Sequence, residues 1–108
     1  MKTAMNPNET AMLTMLVGRL RAMGATEVLL YGSAARRELE AGSDIDLLVV
    51  FPIVTWELEK RVGELCFEAG LECDRVFSTL CFSEDEIKRS PLRFSPVVLN
   101  ARREGMVL

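Results

Sequence analysis

The sequence predicts an α/β fold, a small mixed three-stranded sheet flanked by helices, and three observations carry that expectation. A Gly-Ser turn, Gly32-Ser33, separates two apolar runs of strand length, one ending at Tyr31 and one spanning Asp44 to Phe51. The first run is short and nearly continuously apolar, as a strand covered on both faces is. Between the second run and a third, Leu71 to Phe82, lies a stretch with helical periodicity. A helix crossover of that kind favours a parallel strand pair.

Each element has its own signal. Asn6-Pro7-Asn8-Glu9 reads as a helix start, with Asn6 as N-cap, Pro7 at the first helical position and Glu9 placed for a capping box. The helix runs towards Gly24, with Met12, Leu16, Leu20 and Met23 at helical spacing and Leu13 and Val17 widening the stripe. Its methionines read as gap-filling core in preference to a promiscuous groove. Thr26 to Tyr31 is the first strand, and a short helical stretch, Ala34 to Leu39, follows the Gly-Ser turn. The second strand, Asp44 to Phe51, is stopped by Pro52. An antiparallel pairing of these strands most simply brings Gly32-Ser33 to Asp44 and Asp46.

A helix from about Thr55 to Ala69 comes next, with Thr55 as N-cap, Glu57 and Glu59 in its first turn and Gly70 beyond its end. Leu58, Val62, Leu65 and Ala69 form its buried stripe, and Trp56, away from it, is expected beneath a loop, with a partner or a base as the alternative. The third strand, Leu71 to Phe82, carries Asp74 near its beginning and Glu72 at the same parity. Ser83 to Glu86 is a capping box opening a short helix that cannot pass Pro91. Ser95-Pro96 starts a last helix, Val97 to Glu104, closed by Gly105.

Composition narrows the class. A length of 108 residues predicts one domain, 1–108, and 49 % apolar with 27 % charged residues is the balance of a soluble globular protein. The longest uncharged apolar run, Leu47 to Trp56, is too short for a bilayer, and no signal-peptide pattern opens the chain. A cytoplasmic protein with no membrane partner is therefore expected. Three cysteines without paired spacing, and no histidine, speak against zinc; Cys66, Cys73 and Cys81 read as buried small hydrophobes in a reducing compartment. The net charge of −3 speaks against direct nucleic-acid binding. The local cluster Lys88, Arg89, Arg93, Arg102 and Arg103 reads as a solvated helix face in preference to a partner surface. A homo-oligomer is compatible with all of this.

The chemistry concentrates between Gly32 and Asp46. Residues i and i+2 of a strand share a face, with Cα atoms roughly 6 to 7 Å apart, so Asp44 and Asp46 point the same way. Like charges there repel unless cations lie between them. Two Mg²⁺ ions about 3.5 to 4 Å apart fit the requirement, and carboxylate oxygens are the ligands such hard cations prefer. Gly32-Ser33 complements the pair: glycine admits close approach, backbone N–H groups face outward, and the serine hydroxyl adds a donor for phosphate oxygens. Taken alone, Gly-Ser is more often a plain strand-to-helix turn. The conjunction is more specific: Gly-Ser, ten residues, then Asp-x-Asp leading into a run of aliphatic residues. It resembles the signature of the nucleotidyltransferase superfamily that includes DNA polymerase beta, and within it the minimal nucleotidyltransferases of bacteria and archaea.

That resemblance, which covers nearly the whole chain, implies a polymerase beta palm-like fold and transfer of a nucleoside monophosphate from a nucleoside triphosphate, ATP foremost, to an acceptor hydroxyl. It implies that Gly32, Ser33 and Arg36 hold the triphosphate, that Asp44 and Asp46 carry two Mg²⁺ ions (or Mn²⁺), and that Asp74 binds one metal and orients or deprotonates the acceptor. The family places its third acid in an apolar strand after a helix, which favours Asp74 over Glu72. Arg37 departs from the family, which often has glycine at that position. Minimal members commonly pair with a small helical HEPN-type ribonuclease toxin, which they serve as antitoxin. A non-catalytic binding module and a subunit that modifies a small molecule are the other classes open.

Overall fold

The structure, a computed structural model, describes residues 3–108. Helix α1, Pro7–Ala22, starts on the expected capping box: the Asn6 side chain accepts from the Glu9 N–H while the Glu9 carboxylate accepts from the Asn6 N–H, both at 2.8 Å. Strand β1 is Glu27–Tyr31, a single helical turn α2 is Gly32–Ala35, and strand β2 is Ile45–Phe51. Helix α3, Trp56–Cys73, is capped by the Thr55 hydroxyl, and strand β3 is Phe77–Ser83. Helix α4, Glu84–Arg89, begins on a second capping box, Ser83 with Glu86; a 3₁₀ turn at Pro91–Phe94 leads to helix α5, Pro96–Glu104, capped by Ser95.

Among the described residues the sheet has four strands in the order β3-β2-β1-β4, where the sequence suggested three. The added strand β4 is Met106–Val107, which pairs antiparallel with Leu30 and Leu29 of β1. Two residues carry no period to read, so only the edge of β1 defines them. The other relations are as expected: β1 and β2 are antiparallel, with Tyr31 opposite Asp46, and β2 and β3 are parallel.

Central position explains the apolar run of β2, where Leu47 to Phe51 are all buried. Side chains alternate across the sheet. Ile45, Leu47, Val49 and Phe51 pack with Leu13, Leu16 and Leu20 of α1 and Val62 and Leu65 of α3. Leu48 and Val50 pack on the opposite face with Ile87 of α4 and Val98 and Ala101 of α5. Full burial of one such side chain stabilises by about 1.5 to 3 kcal/mol, so both faces hold β2 in register. Asp46 is the one half-exposed residue of the strand.

The boundaries of α2, α3 and β3 and the burial of Trp56 differ from expectation; β3 begins at Phe77 and not at Leu71, because α3 occupies the residues up to Cys73. The helical stretch after the Gly-Ser turn stops at Ala35, because Arg37 takes a left-handed conformation (φ 59°) and Leu39 leaves to bridge with Thr3. Helix α3 runs on to Cys73 and contains Gly70. That glycine is no stop signal: a β-carbon on it would lie 2.4 Å from the Arg75 carbonyl oxygen, so it admits the returning chain. Trp56 is 70 % exposed at the start of α3, with the Lys60 ammonium 5.3 Å from its ring centre, so no loop among the described residues covers it. Among the described residues no helix is long and apolar enough to cross a membrane.

Candidate functional site

The turn after β1 and the start of β2 meet as closely as atoms permit. Gly32 has φ 72°, a conformation L-residues rarely adopt. A β-carbon there would lie 2.7 Å from Oδ2 of Asp46, which is a second reason for glycine. The backbone of Gly32 thus rests against the Asp46 carboxylate, and Ser33 follows directly. Helix α2 is a single turn of four residues, so its contribution is the unpaired N–H groups of a first turn and little macrodipole.

Asp44 is exposed and Asp46 half-buried. Burial, and then the neighbouring Asp44 carboxylate, pushes the Asp46 carboxyl above its ordinary range. Burial and the same Asp46 carboxylate push the Tyr31 hydroxyl up as well. Among the described residues no Lys or Arg forms an ion pair with Asp44 or Asp46. Two adjoining carboxylates without a counter-charge are the donor set that suits a hard divalent cation. Arg36 lies on the adjoining turn, but its guanidinium is engaged by Glu38 and Glu104, at 3.3 Å each.

Asp74 is not brought to this pair. It sits just past the end of α3 with φ 53°, outside any strand and exposed. There it lines a cavity of about 500 Å³ with Gly63, Phe67 and Phe77, on the α3 side of the sheet. Glu72 lies in the last turn of α3 and does not supply the third acid either. Among the described residues no three His, Cys, Asp or Glu side chains gather in a way that could hold a metal ion. The residue that β3 does set beside Asp46 is Ser78, its partner in the parallel register.

A family model described as nucleotidyltransferase domain matches residues 13–97. The chain belongs to that family. A solved structure of a candidate minimal nucleotidyltransferase has the same fold, with a TM-score of 0.61, 24 % identity and coverage of 92 % of this chain and 91 % of that one. No curated protein matches the chain.

In this nucleotidyltransferase domain the loop leading into Asp44 is held by a residue that sequence reasoning passed over. Arg75 donates to the carbonyl oxygens of Glu40 at 2.9 Å and Ser43 at 3.0 Å, and its Nε lies 2.5 Å from Glu9. Glu9 is the one buried charged residue among those described, at 3 % exposure. The pair therefore ties the first turn of α1, the end of α3 and the approach to Asp44 together. The signal that α3 reaches this far was present in Val62, Cys66, Ala69 and Cys73, which keep helical spacing through Gly70. The three cysteines are free; only Cys66 is buried as expected, while Cys73 and Cys81 are half-buried against the core, and burial still pushes the Cys81 thiol up to about 11.

Proposed function

We propose that this nucleotidyltransferase-family protein transfers AMP from ATP, with Mg²⁺ or Mn²⁺, to a hydroxyl of a protein partner, and that it serves as antitoxin to a helical HEPN-type toxin. The observation that carries the reading is the closure of Gly32 onto Asp46 beside Asp44, two carboxylates that no Lys or Arg among the described residues pairs with. Asp44 and Asp46 would hold the divalent ion, whose charge would stabilise the transferring phosphoryl group. Gly32 and Ser33 offer backbone N–H groups and a hydroxyl to the triphosphate, and Arg36 reaches it by exchanging its contacts with Glu38 or Glu104. Positioning of the acceptor oxygen in line with the leaving pyrophosphate is a large part of such catalysis, and the partner supplies the acceptor.

Incubation of the protein with its co-purifying helical partner, ATP and Mg²⁺, followed by intact-mass measurement of both chains, tests this. One or more added AMP groups on the partner are expected, with none in the Asp44→Asn/Asp46→Asn double variant. A second reading, a module that silences its partner by binding alone, is favoured by the neutral Ser78 beside Asp46. Tight association and silencing with no mass change would establish it in place of transfer.

A further inference from the structure

Strand β3 runs parallel to β2 with Ile45 opposite Phe77, Asp46 opposite Ser78 and Leu47 opposite Thr79. Phe77 belongs to the core under α1 and α3, half-buried Cys81 packs against that core, and Phe82 packs on the opposite face with Leu48 and Val50. By strand alternation Ser78 lies on the Asp46 face, whereas Phe77 and Thr79 look towards the cavity that Asp74 lines. Neighbouring strands lie about 4.7 to 4.9 Å apart, so the Ser78 hydroxyl is within reach of anything the Asp46 carboxylate holds. Ser78 is half-exposed and so open to a ligand.

We propose that Ser78 is the third side chain of the metal and acceptor site, and that its neutral hydroxyl makes transfer by this chain slow. The inference rests on the nucleotidyl-transfer reading above. In that reaction the acceptor oxygen forms a bond to the α-phosphorus, the bond from phosphorus to the bridging oxygen of pyrophosphate breaks, and the acceptor proton must go to a base. A carboxylate at position 78 would receive it; a serine hydroxyl cannot, so the proton is left to solvent water. The site accordingly binds metal and nucleotide on two carboxylates and a hydroxyl and turns over slowly.

The test uses the chain alone, with Mn²⁺ and the α,β-methylene analogue of ATP for binding, and pyrophosphate release from ATP with water as acceptor for transfer. Ser78→Asp is expected to tighten Mn²⁺ binding about tenfold or more and to raise pyrophosphate release by roughly two orders of magnitude, the scale of a general base. Asp74→Asn is expected to change neither. Ser78→Cys, close in shape to the native residue, is expected to shift metal preference from Mn²⁺ towards Cd²⁺, because a thiolate favours the softer ion. Wild-type values for both Ser78 variants, or a tenfold loss in Asp74→Asn, would overturn the assignment. If Asp44→Asn/Asp46→Asn binds Mn²⁺ and the analogue as the wild type does, the metal site itself is wrong and the Ser78 inference falls with it.

Discussion

Gly32 directly follows Tyr31, the β1 partner of Asp46, and lies so close to Asp46 that a β-carbon on Gly32 would stand 2.7 Å from the Asp46 Oδ2. One methyl group therefore cannot be added without moving a carboxylate of the site. Gly32→Ala is expected to lose more than tenfold in Mn²⁺-nucleotide affinity. It should also lose about 1 to 2 kcal/mol of stability from the left-handed backbone. Isothermal titration and urea unfolding measure the two effects; unchanged affinity in a folded variant would count against the site.

Asp46 supplies a pH dependence with a definite sign. Its carboxyl titrates higher in the folded chain than in the unfolded one, chiefly through burial and then through Asp44. Below the unfolded value both states are protonated and the residue contributes nothing unfavourable. As pH rises through the raised folded value, the unfolded state releases its proton first and stability is lost. Asp46→Asn should thus be more stable than wild type at neutral pH, with the gap closing in acid below the ordinary carboxylate range. Mg²⁺ should raise the melting temperature of the wild type and leave that of Asp46→Asn unmoved. Thermal melts over a pH series, with and without Mg²⁺, read both.

Arg37 holds φ 59°, and Asp74 holds φ 53° after α3. A left-handed L-residue costs roughly 1 to 2 kcal/mol, while glycine loses about 0.5 to 1 kcal/mol in backbone entropy. Arg37→Gly should therefore stabilise by about 0.5 to 1 kcal/mol. Asp74→Gly should gain less, since aspartate visits this region more easily. Urea midpoints of the two variants give the comparison; a destabilised Arg37→Gly would mean that the arginine side chain holds the turn.

Breaking the Glu9–Arg75 pair leaves a buried charge without its partner. Glu9→Ala is expected to cost about 3 to 5 kcal/mol. Arg75→Ala adds the release of the Glu40 and Ser43 carbonyls, and so should weaken Mn²⁺ binding at Asp44 even where the chain still folds. Chemical denaturation and metal titration separate the two effects.

Local chemistry wrote much of the molecule into the sequence. The caps at Asn6, Thr55, Ser83 and Ser95 are hydrogen bonds spanning three residues, and the shared face of Asp44 and Asp46 is a property of strand alternation, so both could be read without a fold. The Gly32-Ser33 turn and the antiparallel relation of its flanking strands followed from the same short span. What tertiary structure decided is where distant segments come to rest. Gly70 has the look of a helix end, yet it is there because the Arg75 carbonyl passes over it, and α3 therefore continues and leaves Asp74 as its cap and not a residue of β3. Ser78 enters beside Asp46 only through the β2–β3 register, which buried side chains on both faces fix together. Met106 and Val107 become a strand only because β1 offers them an edge, and no pattern within two residues can encode a partner more than seventy positions away.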